Sequence, residues 1–389
     1  MSVSVNSRRS RLRSALAALL TVLVLVPTAV LFLRVLNENT SQRDETELKQ
    51  KGIEYLAELA PLVSALAESQ SSALQGVTAE PASLTAAVAR VQGVDEKLGD
   101  ELDSTSRWSG LKEKIGRLPG VAGDSEQIYE AHVEVGDLAL ELYNEVRQNS
   151  LLNQDSQSDI WFLQETVTVN MPEAVTNVSR MGDLANMVAA AKDRERGALQ
   201  VEFGAAVMAV EDSVAELTDN LQAAAEDTGS STLASNTVNN LDAFRRGVEA
   251  ANRGANPGGT PDVSILVTAQ STLTTALKAL STVLLKEMST LLDERIDELD
   301  YRRIEALALL AAAVALIVFA AVWTRGRAVK AFRDSDGEAG RDVSVRNDSQ
   351  ATSATPNTYG GGPYDTAPGF GDNPNYGSGA GRERSGALR

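Results

Sequence analysis

The 389-residue chain has no cysteine, a single histidine and a formal net charge of −17. That inventory excludes a disulfide scaffold and a thiolate- or imidazole-rich zinc centre. It also argues against nucleic-acid recognition, because phosphate contacts need a basic face.

The first element is an uncharged apolar run from Ala15 to Leu33, preceded by Arg8, Arg9, Arg11 and Arg13. It is long enough to cross a hydrocarbon core of ~30 Å. No small-x-small cleavage site follows Leu33, so it reads as an anchor and not as a removed signal peptide. A second uncharged run, Ala306 to Trp323, is followed by Arg325, Arg327, Lys330 and Arg333. Basic residues on the outer side of each run place both chain ends in the cytoplasm and the intervening segment outside. The expected organisation is a basic cytoplasmic N-terminus at 1–14, a transmembrane helix at 15–35 and an extracytoplasmic helical bundle at 36–301. A second transmembrane helix at 306–323 and a cytoplasmic tail at 324–389 follow. The expected location is the cell membrane, with two spans.

Residues 36–301 hold 20 Lys and Arg against 44 Asp and Glu. This is the surface of a solvated, soluble domain. Ala, Leu, Glu, Gln and Lys dominate it, which predicts an all-α fold. Leu56, Leu59, Val63 and Leu66 follow the three-and-four spacing of a buried helical stripe, as do Leu138, Leu142 and Val146. The first helix is expected to run up from the membrane to about Leu74 and to end at Gly76–Pro81. Further breaks are expected at Ser104–Gly110 and at Leu118-Pro119-Gly120, with Asp124 or Ser125 capping the next helix. A polar loop is expected over Ser150–Asp159, and turns at Asp227–Ser231 and Gly254–Pro261. Met171-Pro172 falls inside an apparent helix, where proline removes a backbone bond. That kink would mark a junction between two stacked four-helix bundles. From Asp262 to about Phe332 no proline interrupts the pattern, and Leu273, Leu277, Leu280, Leu284, Met288, Leu291, Leu292 and Ile296 keep the helical rhythm. This predicts one rod on the order of 100 Å long. Residues 334–389 are rich in Gly, Pro, Asn and Tyr and nearly free of aliphatic side chains, which predicts a disordered tail.

Catalytic machinery is not legible. There is no phosphate-binding glycine loop before Lys-Ser/Thr and no nucleophile elbow. No catalytic residue, cofactor or metal site is expected, and the chain does not read as an enzyme. His132 reads as a surface or flank residue beside Tyr129, Val133 and Val135. The cytoplasmic part has no histidine, so it is not a phosphoacceptor domain. Arg194 and Arg196 lie in Lys192-Asp193-Arg194-Glu195-Arg196, a charged interruption of an Ala-rich helix. Arginines facing a bundle interior can fork onto a small oxyanion; the plainer reading is ion pairing with Asp193 and Glu195. Trp108 and Trp161 are the other ligand-site candidates, and core plugs are the plainer reading of both.

A resemblance emerges from these residues. Asn149-Ser150-Leu151-Leu152-Asn153-Gln154-Asp155, then Ser158-Asp159-Ile160-Trp161-Phe162-Leu163, then Met171-Pro172-Glu173, resemble a pattern in helical extracytoplasmic input domains. Those domains belong to bacterial histidine kinases, chemoreceptors and diguanylate cyclases. Trp161 and Met171 stand where that pattern has Tyr and Leu. The stretch Leu291 to Leu299 with Arg302 and Arg303 is similar to the family's last helix before its second anchor. Ala191 to Phe203, with Arg194-Glu195-Arg196-Gly197, also resembles nitrate- and nitrite-sensing helical domains. The corresponding early helix, Leu66 to Leu74, has no arginine. Thr324 onward shows no linker repeat of the kind those receptors carry, so no output domain is expected in residues 324–389. The resemblance implies a sensor-like receptor or co-receptor that relays a signal to a separate protein, such as a histidine kinase. The two apolar runs call for the lipid bilayer as a partner, the arginine pair for a small-anion ligand, and the Ala-rich anchors permit close packing with a second copy of the chain. The competing expectation is a structural scaffold of the cell envelope with no ligand.

Overall fold

The computed structural model describes residues 4–77, 79–154, 160–228, 231–255 and 261–335. Of the tail expected at 334–389, Asp334 and Ser335 are described and close the last helix, and residues 336–389 lie outside the described residues, as do parts of the loops expected at Ser150–Asp159, Asp227–Ser231 and Gly254–Pro261. Packing divides the chain into Met1–Ala320 and Ala321–Arg389. Of the second unit, residues 321–335 are described, and they are helical.

The described residues are helical, with no strand among them. In chain order the helices are α1 (Ser4–Leu74), α2 (Ala82–Leu98), α3 (Thr105–Arg117), α4 (Ser125–Asn149), α5 (Trp161–Glu165), α6 (Met171–Ala190), α7 (Asp193–Thr228), α8 (Ser231–Ala255) and α9 (Val263–Ser335). A 3₁₀ turn, Leu118–Gly120, closes α3, and a π turn, Thr166–Asn170, joins α5 to α6.

Polar pairs across the bundle give its course. Glu54 bonds Lys97, Arg90 meets Glu58 at 3.3 Å and Ser83 bonds Glu68 at 2.7 Å, so α2 descends along α1. Arg107 bridges Glu145 at 2.8 Å and Lys114 bridges Glu134 at 2.6 Å, so α3 and α4 are antiparallel. Arg180 with Asp137 and Arg147 with Glu165 run α5–α6 against α4. Asn177 to Ser213 at 2.8 Å and Asn170 to Asn220 at 2.8 Å run α7 against α6. Arg43 to Asp300 at 2.9 Å and Asn39 to the Leu299 carbonyl at 3.2 Å run α9 against α1. These ion pairs are exposed or half-exposed, so they report register more than stability.

Apolar stripes carry the stability. Leu56 and Leu59 of α1, Leu142 and Val146 of α4, and Leu273, Leu277, Leu280, Leu284 and Met288 of α9 are all fully buried. The expected stripes therefore form the core, with Leu138, Leu291 and Ile296 half-buried at its edge. At α4 the start is fixed by a capping box: Gln127 N–H donates to the Asp124 side chain at 3.0 Å, and Asp124 N–H donates back to Gln127 Oε1 at 3.3 Å. Its end is a Schellman turn, with Leu152 N–H on the Arg147 carbonyl at 2.9 Å and Leu151 N–H on the Gln148 carbonyl at 3.2 Å. Leu151 takes the left-handed position, φ 59°, that usually falls to glycine. Burial of Leu152 beside it offsets that strain.

Four expectations need correction. The break expected at Ser104–Gly110 lies earlier, and α3 begins at Thr105, because Trp108, Leu111, Ile115 and Leu118 share one buried face at three-and-four spacing. The helix expected through Ala191 breaks there instead: Ala191 is extended (ψ 145°), and the chain turns over Ala191-Lys192 without glycine or proline. Met171-Pro172 does not mark a junction between stacked bundles. Gln70 and Ser71 of α1 bond Asp183 of α6, so α6 stands beside α1 and not beyond its end. Pro172 lacks the N–H that would pair with Thr168, and the helix answers with the π turn, in which Met171 N–H reaches back to the Thr166 carbonyl. Finally, His132 is buried, not a surface residue. Its spacing from Val135, Ala139, Leu142 and Val146 is the three-and-four rhythm of the core face of α4.

Close helix approach makes one glycine testable. A Cβ on Gly52 would lie 2.3 Å from Ser150 Oγ and 2.9 Å from Leu152 Cδ1. Gly52→Ala is expected to destabilise the chain by about 1–3 kcal/mol in chemical denaturation, the cost of overpacking. Gly204 of α7 faces open space, so Gly204→Ala should stabilise by about 0.5–1 kcal/mol through helix propensity alone. Equal effects at the two sites would show that the α1–α4 contact is not as close as described.

Candidate functional site

Between α1 and α9 the bundle is open. The two helices are tied near the apolar runs by Arg43–Asp300 and Gln50–Asp293. Above that clamp they part around a groove of about 1460 Å³. Its α1 wall carries Ala57, Ala60, Ser64 and Ala67, and its α9 wall carries Ser271, Thr274, Ser281 and Thr282. Met171, Pro172 and Val175 of α6 form the floor, together with Leu277 and Leu285. Pro61 lies in the α1 wall and has no N–H, so the Ala57 carbonyl has no i+4 donor and offers an acceptor there. Several wall hydroxyls already bond their own helix, as Thr275 does to Ser271 at 2.8 Å and Thr282 to Lys278 at 3.0 Å.

At the groove's far end Ser71 and Ser179 lead to a buried carboxylate. Asp183 is only 2 % exposed. It accepts from Ser71 Oγ at 2.6 Å, Gln70 Nε2 at 2.9 Å and Ser179 Oγ at 3.4 Å. No cation forms an ion pair with it among the described residues. Burial pushes its pKa up to about 6, and the three hydrogen bonds pull the other way without cancelling that effect. Asp183 thus joins α1 to α6 at a point where a carboxylate is costly to ionise. A second buried carboxylate, Asp95, takes Tyr55 Oη at 2.9 Å and Ser104 Oγ at 2.8 Å and ties α1, α2 and the turn before α3 together. Nothing in the sequence around Asp183 marked it as special. The available signal was one carboxylate in the otherwise uncharged stretch Met181–Val188.

The four residues singled out from the sequence are not gathered into one site, and none lines the groove. Trp108 is buried in the core, its Nε1 donating to Gln92 Oε1 at 2.9 Å. Trp161 is exposed at the start of α5, edge-on to Phe162 with ring centres 4.9 Å apart. Arg196 closes the α6–α7 turn: its Nη2 donates to the Ala191 carbonyl at 2.7 Å, and its Nη1 lies 3.5 Å from Asp193. Arg194 is exposed, two residues and over half a turn away. His132 sits with Nδ1 2.9 Å from the Ile128 carbonyl, and burial pushes its pKa down. Among the described residues no group of three or more His, Asp or Glu side chains is placed to hold a metal ion.

Comparison with protein-family models, with curated proteins and with solved structures finds no match.

Proposed function

We propose that this chain is a membrane-anchored, sensor-like receptor or co-receptor that recognises its partner or ligand at the α1–α9 groove and relays the event through its anchors to a separate signalling protein. The observation that carries this reading is one of continuity. The two helices that wall the groove are the two that run on into exposed apolar stretches. On α1 these include Leu19, Val22, Leu23, Val26, Val30, Leu31 and Leu33; on α9 they include Ile304, Leu307, Leu309, Val314, Leu316, Val318 and Phe319. Among the described residues, one helix segment, Val263–Ala320, carries an 18-residue window of mean hydropathy 2.2, and none of that window is buried. Water exposure of that much apolar surface is unfavourable, whereas lipid is its natural surrounding. The basic flanks of both stretches support two spans with both ends in the cytoplasm. The sequence likeness to helical input domains of histidine kinases and chemoreceptors supports a kinase or similar protein as the receiver.

Topology is tested with reporter fusions at Ala255 and at the C-terminus, which should report opposite sides of the membrane; the same side for both removes the receptor outline. The relay is tested by inserting two residues after Ile304. At 3.6 residues per turn the insertion rotates the apolar stretch by about 200° relative to the bundle. The cellular response that requires the wild-type chain should change while the helical content of the chain stays the same. An unchanged response would leave the bundle as a spacer.

A further inference from the structure

We propose that the first turns of α7 dock on the same face of a second copy running the opposite way, so that chains anchored in two facing membranes join tip to tip. The pairing stands on the surface of α7 alone; the joining of membranes rests on the anchored reading.

The face is open and apolar. Arg194, Gly197, Val201, Gly204, Met208 and Glu211 follow one another at alternating three and four residues, the spacing of a single helix seam. Val201 is 74 % exposed and Met208 64 %, as open as Leu19 or Leu316 in the apolar runs. Lipid is not their cover, because Glu195, Glu202 and Glu211 share the stretch. A Cβ on Gly197 or Gly204 would meet nothing within 4 Å. The seam thus alternates bulky side chains with open glycines, with an arginine at one end and a glutamate at the other. Arg194 and Glu211 are exposed and make no ion pair among the described residues.

The seam is complementary to itself. In an isologous contact residue i meets j while j meets i. A two-fold axis crossing α7 between Glu202 and Phe203 sets a second α7 antiparallel to the first. Met208 then meets Gly197, Val201 meets Gly204 and Arg194 meets Glu211, the two members of each pair being equally far from the axis in sequence. Each bulky side chain enters the space over a glycine, and each unpaired charge finds its opposite. An axis parallel to the helices does neither. It sets Arg194 on Arg194 and Met208 on Met208 and leaves the glycines as gaps.

The position of the seam gives the pairing its consequence. Asp183 bonds Gln70 and Ser71, close to the end of α1. It lies about two turns before the Ala191-Lys192 turn. From that turn α7 runs back along α6, so its first turns lie at the end of the bundle away from the apolar runs. Between Leu33 and Leu74 α1 rises about 60 Å. Antiparallel copies therefore carry their anchors in opposite directions, and one bilayer does not hold both. Two helices in contact over about 25 Å bury less than the roughly 1,200–2,000 Å² of a stable interface. Pairing is accordingly weak between dispersed chains and strong between membranes that carry many copies.

The chain has no cysteine, so single cysteines report the register. Full-length Gly197→Cys and Met208→Cys chains, reconstituted in separate phosphatidylcholine vesicles and then mixed under mild oxidation, should link to each other at least tenfold more than either links to itself. Wild-type vesicles should cluster. Vesicles carrying Arg194→Glu alone, or Glu211→Arg alone, should stay dispersed with unchanged helicity. Mixed together, those two should cluster again, because both charge contacts are then attractive. Wild-type vesicles that stay dispersed, Met208→Cys linking to itself as strongly as to Gly197→Cys, or failure of the mixed charge variants to cluster would each overturn the proposal. Alkaline extraction of the host membranes separates it from the anchored reading. A chain released by it fails that reading, and linking of Gly197→Cys to Met208→Cys in concentrated solution still decides the pairing. A chain retained but unlinked fails the pairing alone.

Discussion

Replacing Asp183 by Asn is expected to stabilise the full chain at neutral pH, against the usual direction for a buried hydrogen-bonded group. Asp183 is almost fully buried and meets only neutral donors: Gln70 and Ser71 from α1 and Ser179 from α6. Tyr129 of α4 is kept protonated first by its own burial, with a smaller push from the Asp183 charge. Its folded pKa, about 6, lies above the ordinary value of 3.8. The sign follows from linkage. A carboxyl whose pKa is raised on folding favours the native state while it is protonated, fully so below pH ~4, and that contribution fades as pH rises through about 6. A shift of this size corresponds to about 3 kcal/mol between the two ends of that window. The amide introduced by Asp183→Asn keeps an acceptor for Gln70 or Ser71 and can donate to Ser179, with no charge to bury. Denaturant midpoints should therefore rise by the equivalent of about 1–3 kcal/mol at pH 7.5 and change little at pH 4. Parallel pH profiles for the two proteins would show that Asp183 is solvated or paired in solution.

Its energetic asymmetry also bears on the groove. The α1–α6 contact at Gln70, Ser71 and Asp183 lies behind Ser71 and Ser179, which line the groove. Protonation of Asp183 below about pH 6 removes the cost of a buried charge at that contact.

What was legible in the sequence was whatever acts locally. The stripes at Leu56–Leu66 and Leu273–Met288 are set by helical period, and the Asp124 cap and the Leu118-Pro119-Gly120 turn by single-residue stereochemistry. The turn at Ala191-Lys192 was hidden because nothing there resists helix; it is closed by Arg196 reaching back to a carbonyl, a contact that no propensity records. His132 was misplaced by weighing its neighbours in sequence rather than its neighbours one turn away. The groove was beyond reach, since it arises where α1 and α9, more than 200 residues apart, part above the Gln50–Asp293 contact. The arginine and tryptophan candidates were chosen by residue type, and type says little about which way a side chain faces.

Trp108 and Trp161 show how large that difference is expected to be. Trp108 is 2 % exposed and Trp161 is 39 % exposed. Trp108→Ala removes an indole from the packed interior of α2, α3 and α4 and leaves a cavity that the surrounding helices cannot fill. Such truncations cost about 3–5 kcal/mol. Gln92 would still receive Lys112 Nζ, now 2.9 Å from its Oε1, so the lost indole hydrogen bond adds only about 1 kcal/mol to any variant. Trp108→Phe should consequently recover most of the stability. Trp161→Ala forfeits an edge contact with Phe162, worth about 0.5–1.5 kcal/mol at most, and leaves the core intact. Equilibrium unfolding of the three variants in one detergent separates a core plug from a ligand cage. A plug gives a large loss for Trp108→Ala, a small one for Trp108→Phe and a smaller one for Trp161→Ala. A cage would instead leave the ligand-free stability of all three near wild type. If Trp108→Ala unfolds within about 1 kcal/mol of the wild type, α3 is not seated as described, and the polar contacts that run it against α4 lose their apolar support.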